Sequence, residues 1–220
     1  MAPRIDHYDW TGGREAMLRF GPDTGPLLVA ALPLFEEANR TRTFAVTLLR
    51  ALAARGIASV LPDVPGQGES AAPLATLPDM AEALAAVPTD GRPTYALGLR
   101  SGALLDTAAA RRGRWHFAPQ TGERLARMLR RTWHAAGNSG PQPDPVEIAG
   151  NVIPQAFLAS LGAALPIAAD RIVRLTSDPE DADRKIDAAP LWRRSEPGND
   201  PALVEMLADD IADWLARCEA

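Results

Sequence analysis

The apolar positions of the chain fall into short unbroken runs separated by stretches with helical spacing. Leu27-Leu28-Val29-Ala30-Ala31-Leu32 is apolar throughout, as expected of a strand covered on both faces of a parallel sheet. Ile57 to Leu61, Thr94 to Leu97, Arg114 to Ala118 and Arg171 to Leu175 read as further strands. Met17 to Phe20 reads as an early edge strand, and Leu191 to Arg194 as a last one. Between them, a helix is expected from about Thr41 to Arg55. Phe44, Leu48, Leu49 and Leu52 share one face of it, and Gly56 ends it. Leu77 to Ala86, Ala103 to Arg111 and Pro179 to Asp187 are expected helices as well. The final helix is the clearest. Asp200 caps it, Pro201 takes its first position, and Leu203, Leu207, Ile211, Trp214 and Leu215 form its buried stripe. Alternation of strand and helix with short connections predicts an α/β fold with a mostly parallel, doubly wound sheet.

One interval breaks the alternation. Gly122 to Ala136 is an Arg-rich amphipathic helix with Leu125, Met128, Leu129 and Trp133 on its apolar side. A loop from Gly137 to Pro145, a short hairpin from Val146 to Ile153 around Gly150-Asn151, and a helix from Pro154 to Leu165 follow. Pro119 to Pro166 is therefore expected to be a lid inserted into a single domain spanning residues 1–220.

Composition narrows the classes of function. The formal net charge is -5, which argues against nucleic acid as a partner. Of the 23 basic residues only Lys185 is a lysine, a bias ascribed to codon usage and suggestive of a bacterial source. Cys218 is the one cysteine, so neither a disulfide within the chain nor a cysteine-built metal site is expected. Met1 to Trp10 is polar and does not fit a secretory signal, and no apolar run approaches the roughly 20 residues of a membrane helix. The expectation is a cytoplasmic protein without metal or cofactor.

Chemistry concentrates at Gly98-Leu99-Arg100-Ser101-Gly102. A buried strand, a sharp glycine-flanked turn and the start of a helix form the nucleophile elbow, G-x-S-x-G, of α/β-hydrolases. Here the tip residue is Arg100, and the only hydroxyl lies one step later on Ser101. Arg100 could plug a dead nucleophile site, or grip an anionic group, since arginine binds carboxylate or phosphate through two bonds. The loop Pro33 to Asn39 stands where such enzymes build half of the oxyanion hole. Its acids Glu36 and Glu37 oppose an oxyanion but suit an ion pair with Arg100. Asp63, Gly66, Gly68 and Ser70 spell D-x-x-G-x-G-x-S, a structural turn of the same fold. For a triad, Asp178 is the candidate acid, with Asp181 second. No histidine follows His134, so His7, His116 and His134 are all misplaced as the base that serine hydrolysis needs.

With these residues in view, the chain resembles the α/β-hydrolase-like proteins associated with the exosortase A system of exopolysaccharide-producing bacteria. The likeness rests on Leu32-Pro33-Leu34-Phe35-Glu36-Glu37-Ala38-Asn39-Arg40-Thr41-Arg42, on the Asp63 to Ser70 turn, and on Gly98 to Gly102. Pro119-Gln120-Thr121-Gly122, Val146 to Gly150 and Pro190-Leu191-Trp192 add to it. The resemblance implies an α/β-hydrolase fold, an elbow of the form G-L-R-x-G, and a link to cell-envelope polysaccharide or to sorting of exported proteins.

Three functions are compatible with these observations. The first is a non-catalytic or unconventional hydrolase relative that binds an acidic or acyl-bearing small molecule in a pocket formed by Arg100, Phe35, Glu36, Glu37 and Asn39. The second is a serine esterase or thioesterase that uses Ser101 and Asp178. The third is a protein-interaction subunit without a ligand.

Overall fold

The computed structural model describes residues 3–109, 111–194 and 196–220. Ala110, inside the expected helix Ala103 to Arg111, lies outside the described residues, as do Met1, Ala2 and Ser195. An eight-stranded sheet forms the centre. It comprises β1 (Arg4–Trp10), β2 (Gly13–Phe20), β3 (Leu27–Ala31), β4 (Ala58–Pro62), β5 (Thr94–Leu99) and β6 (Gly113–Phe117). After a separate hairpin of β7 (Val146–Ile148) and β8 (Asn151–Ile153), β9 (Arg171–Leu175) and β10 (Arg184–Ile186) complete it. The order across the sheet is β1-β2-β4-β3-β5-β6-β9-β10. β2 runs antiparallel to both neighbours, and from β4 to β10 all pairs are parallel.

Each face of the sheet carries its own core. On one face, α1 (Glu36–Ala54) and α5 (Pro201–Glu219) bury Phe44, Leu48, Leu52, Leu207 and Ile211 against Tyr95, Leu97, Trp115 and Phe117. On the other, α2 (Leu77–Ala85), α3 (Gly122–Ala135), the β7–β8 hairpin and α4 (Gln155–Ser160) meet Val29, Ala31, Leu34, Phe35 and Leu104. Local signals explain the helix ends. Thr76 and Asp79 form a reciprocal capping box at α2. Asp200 accepts a hydrogen bond from the Leu203 N–H at 3.0 Å, with Pro201 at the first position of α5.

Several expectations need correction. Met17 to Phe20 is not an edge strand, because β1 pairs outside β2 in continuous register. β1 buries only Tyr8 among its seven residues, so it lacks the apolar alternation that would mark it. α1 begins at Glu36 rather than Thr41, and Glu36 and Glu37 occupy its first turn, where the helix dipole favours negative charge. The residues read as an acidic loop are thus a helix start.

The helix expected over Ala103 to Arg111 shrinks to one 3-10 turn, Arg100–Leu104. Asp106 turns inward instead and pairs with Arg111 at 3.2 Å and Arg114 at 2.7 Å. Pro179 to Asp187 holds strand β10 rather than a helix. Its charges bind loop and strand, as when Asp183 Oδ2 accepts from the Ile172 N–H at 2.7 Å. Leu191 to Arg194 is a 3-10 turn, Leu191–Arg193, not a strand.

Candidate functional site

The elbow keeps its backbone shape. Arg100, directly after β5, has φ 54°, in the left-handed region that costs a side-chain-bearing residue of order 1–3 kcal/mol. A Cβ at Gly102 would lie 2.3 Å from the Ala31 carbonyl oxygen, and one at Gly98 would lie 2.8 Å from His116 Cδ2. Both glycines are there because the turn presses against its neighbours.

The Arg100 side chain is held from every side. Its Nε donates to Glu37 Oε2 and its Nη2 to Glu37 Oε1, both at 3.2 Å. Nη1 donates to the Ala118 carbonyl at 3.1 Å, and Nη2 also donates to Gln120 Oε1. The guanidinium carbon lies 4.2 Å from the ring centre of Trp192, within cation–π range. Glu37 is thus the acid that meets Arg100, whereas Glu36 pairs with Arg40 at 3.2 Å one turn along α1.

Ser101 is fully buried, and its Oγ accepts a hydrogen bond from the Leu34 N–H at 2.9 Å. The next N–H of that loop, on Phe35, donates to Gln67 Oε1 at 2.7 Å. Both N–H groups that the β3–α1 loop could turn to its half of an oxyanion hole are therefore occupied by side chains. Truncating Ser101 to Ala leaves the buried Leu34 N–H without an acceptor. A loss of about 1–3 kcal/mol in unfolding free energy is expected, measured by urea titration. An unchanged midpoint would contradict this role.

The remaining candidates scatter. Phe35 is buried, edge to face with Phe157 at 5.6 Å, and Asn39 is exposed on α1. Neither lines the cavity described below. Asp178 pairs with Arg174 at 2.8 Å and accepts from the Glu180 N–H at 3.1 Å. Burial raises its pKa, but these partners outweigh burial and hold it below the ordinary carboxylate value. Asp181 offers its carbonyl oxygen to Arg174. His7 is exposed on β1 and His134 is exposed on α3. His116 is buried on β6, and burial, with help from Arg114, drops its pKa to about 4.

Beyond the C-terminal ends of β5, β6 and β9 lies a cavity of about 560 Å³, the usual ligand position in an open α/β sheet. Its walls include Glu37 and Arg100, Gln120, the α3 residues Arg124, Arg127, Met128 and Arg131, and Asp178, Trp192 and Arg193. The sequence reading missed Gln120, Arg124, Arg127, Arg131 and Arg193 as site residues. The helical spacing of Arg124, Arg127, Met128 and Arg131 was visible, but its direction was not.

This strand order, the strained elbow and the cavity at the strand ends define the α/β-hydrolase fold. Two solved structures share this fold over most of their length. XC6422 from Xanthomonas campestris, described as an α/β serine hydrolase without lid, matches with a TM-score of 0.58 at 15% identity over 97% of this chain and 95% of its own. DcsB, solved with its substrate analogue, matches with a TM-score of 0.55 at 14% identity over 80% of each chain. Epoxide hydrolase A from Mycobacterium thermoresistibile, at 22% identity and TM-score 0.43, matches over 53% of this chain and only 39% of its own length. No protein-family model and no curated relative matches the chain by sequence. Among the described residues no helix is long and apolar enough to cross a membrane.

Proposed function

We propose that this chain is a hydrolase-fold binding protein in which the nucleophile position has become a fixture of the pocket. Arg100 stands at the tip of the elbow and supports a cavity for an acidic or acyl-bearing small molecule. The observation that carries this reading is the engagement of Arg100 by Glu37, Gln120, the Ala118 carbonyl and Trp192. Four of the five guanidinium N–H groups have acceptors, so the residue builds the wall rather than reacting. The arginines around the cavity supply the attraction for negative charge. In this reading residues 119–166 serve as the lid, and α3 is its arginine-bearing wall.

Serine chemistry at this site lacks three components. The Ser101 oxygen is buried and committed to the Leu34 N–H, the loop donors are occupied, and among the described residues no histidine lines the cavity. The link to exopolysaccharide or exosortase systems follows from the resemblance of the Leu32 to Arg42 and Gly98 to Gly102 segments, a bacterial source from the arginine-for-lysine bias, and a cytoplasmic location joins them as part of the reading. They belong to the same proposal.

Labelling with a fluorophosphonate probe, read by peptide mass spectrometry, tests the catalytic side. Wild type should show no adduct at Ser101. Arg100→Ser should also stay unlabelled, because a hydroxyl at the tip still lacks a base and free oxyanion donors. An adduct at Ser101 that disappears in Ser101→Ala would overturn the non-catalytic reading. Thermal-shift titration with small organic anions tests the binding side, and stabilisation that weakens as salt rises is expected.

A further inference from the structure

The charges around the cavity can be matched partner by partner. Arg40 is paired with Glu36, Arg100 with Glu37, Arg127 with Glu123 and Arg124 with Glu180. Asp178, the other acid in the wall, is matched by Arg174, which also reaches Glu180. Two arginines of the lining have no carboxylate within 4.0 Å among the described residues: Arg131 on α3 and Arg193 on the 3-10 turn after β10. They come from different elements and line the same space. With these partners counted, seven arginines in and around the cavity meet five acids, an excess of two positive charges in a chain whose net charge is negative.

Gln120 supplies an independent sign of a missing acceptor. It is 3% exposed and lines the cavity. Its Oε1 is fixed towards Arg100, because only the oxygen can accept from the guanidinium. The amide nitrogen must then point the other way, and Nε2 is buried without a hydrogen-bond partner. A buried donor left unpaired is costly, and a small shift of the amide towards the cavity would bring it within reach of an anionic oxygen there. Trp192 and Met128 add apolar surface for the rest of a ligand.

From these observations we infer that the ligand carries a dianionic head group of the phosphate-monoester class. Arg131 and Arg193 neutralise its two charges, and the Gln120 amide is a neutral donor to one of its oxygens. The inference rests on the acidic-ligand reading above and narrows it. A doubly charged phosphoryl group satisfies both surplus arginines at once, and guanidinium binds its oxygens through paired hydrogen bonds. A singly charged carboxylate or sulfate ester leaves one arginine uncompensated.

The test is calorimetric titration of the full chain at low salt with phenyl phosphate, phenyl sulfate and benzoate. At pH 7.5 phenyl phosphate should bind about tenfold tighter than phenyl sulfate. The advantage should shrink towards pH 5, because the second proton of a phosphate monoester is lost near pH ~6. Arg131→Gln and Arg193→Gln should each weaken phenyl phosphate about fivefold to tenfold. Arg130→Gln, on α3 but outside the lining, should leave binding unchanged. Equal binding of phosphate and sulfate esters, or indifference to both lining variants, overturns the dianion assignment and leaves the acidic-ligand reading standing. Failure of all three anions to bind overturns both.

Discussion

Replacing Glu37 by Gln should lower the unfolding free energy by about 3–5 kcal/mol, the cost of leaving a buried charge without its partner. The Glu37 side chain is 3% exposed and that of Arg100 is 15% exposed, so water takes over only a small part of what the carboxylate supplied. One of the two hydrogen bonds is lost with its oxygen, the other loses its charge assistance, and the strained backbone of Arg100 loses its main anchor. Chemical denaturation with linear extrapolation measures the effect. In a domain of this size the melting temperature should fall by roughly 2–4 °C for each kcal/mol. The double variant Glu37→Gln/Arg100→Met should recover part of the loss, because it removes the orphaned charge along with its partner. If Glu37→Gln changes stability by less than ~0.5 kcal/mol, the pair does not hold the elbow.

The second large effect is acid destabilisation through His116. Its pKa is about 4 in the folded chain against an ordinary 6.5, because burial disfavours the charged ring. Below pH 6.5 the unfolded chain binds a proton that the folded chain refuses until about pH 4. Stability therefore falls as pH drops through that window, by about 3 kcal/mol in total. Asp210 extends the loss to lower pH. Burial raises its pKa, but hydrogen bonds from Arg171, Trp115 and Arg184 outweigh burial and hold it at about 2. Its contribution is present above its unfolded value of 3.8 and is lost as pH falls towards 2. Glu15 and Asp106, both pushed up chiefly by burial, titrate in the opposing sense, so a control variant is needed. His116→Gln should flatten the stability profile between pH 6.5 and 4 and leave the contribution of Asp210 below it. A wild-type slope unchanged in that variant would show that His116 is not the group responsible.

The legible parts of this molecule are those encoded over a few neighbouring residues. Largely apolar runs specified β3, β4 and β5, because a strand buried on both faces admits few polar positions, here Ser59 and Thr94. Asp200-Pro201 located α5 to the residue, since a cap and a fixed φ act within one turn. Gly98 and Gly102 announced a sharp turn after β5, and the structure has it, strained at Arg100. Even the ion pair over the elbow was foreseeable as a choice between Glu36 and Glu37.

Other features were set by contacts between distant segments. Which of the two acids meets Arg100 depends on where α1 starts, and Phe35, not Thr41, makes that boundary with a φ of 60°. The short turn after the elbow exists because Asp106 finds Arg111 and Arg114 in the protein interior. β10 forms because the edge of β9 is open to it, although its three residues carry almost no strand signal. The cavity itself joins side chains from α1, the turn after β5, the loop after β6, α3, the end of β9 and the turn at Leu191–Arg193. Local sequence determined the fold class, the elbow and the loss of serine at its tip, since propensity, periodicity and turn chemistry act at short range. Tertiary packing alone decided that Ser101 would bind a backbone N–H, that Gln120 would face Arg100, and that Arg131 and Arg193 would be left without acids, because those outcomes depend on which distant side chains come within a few ångströms.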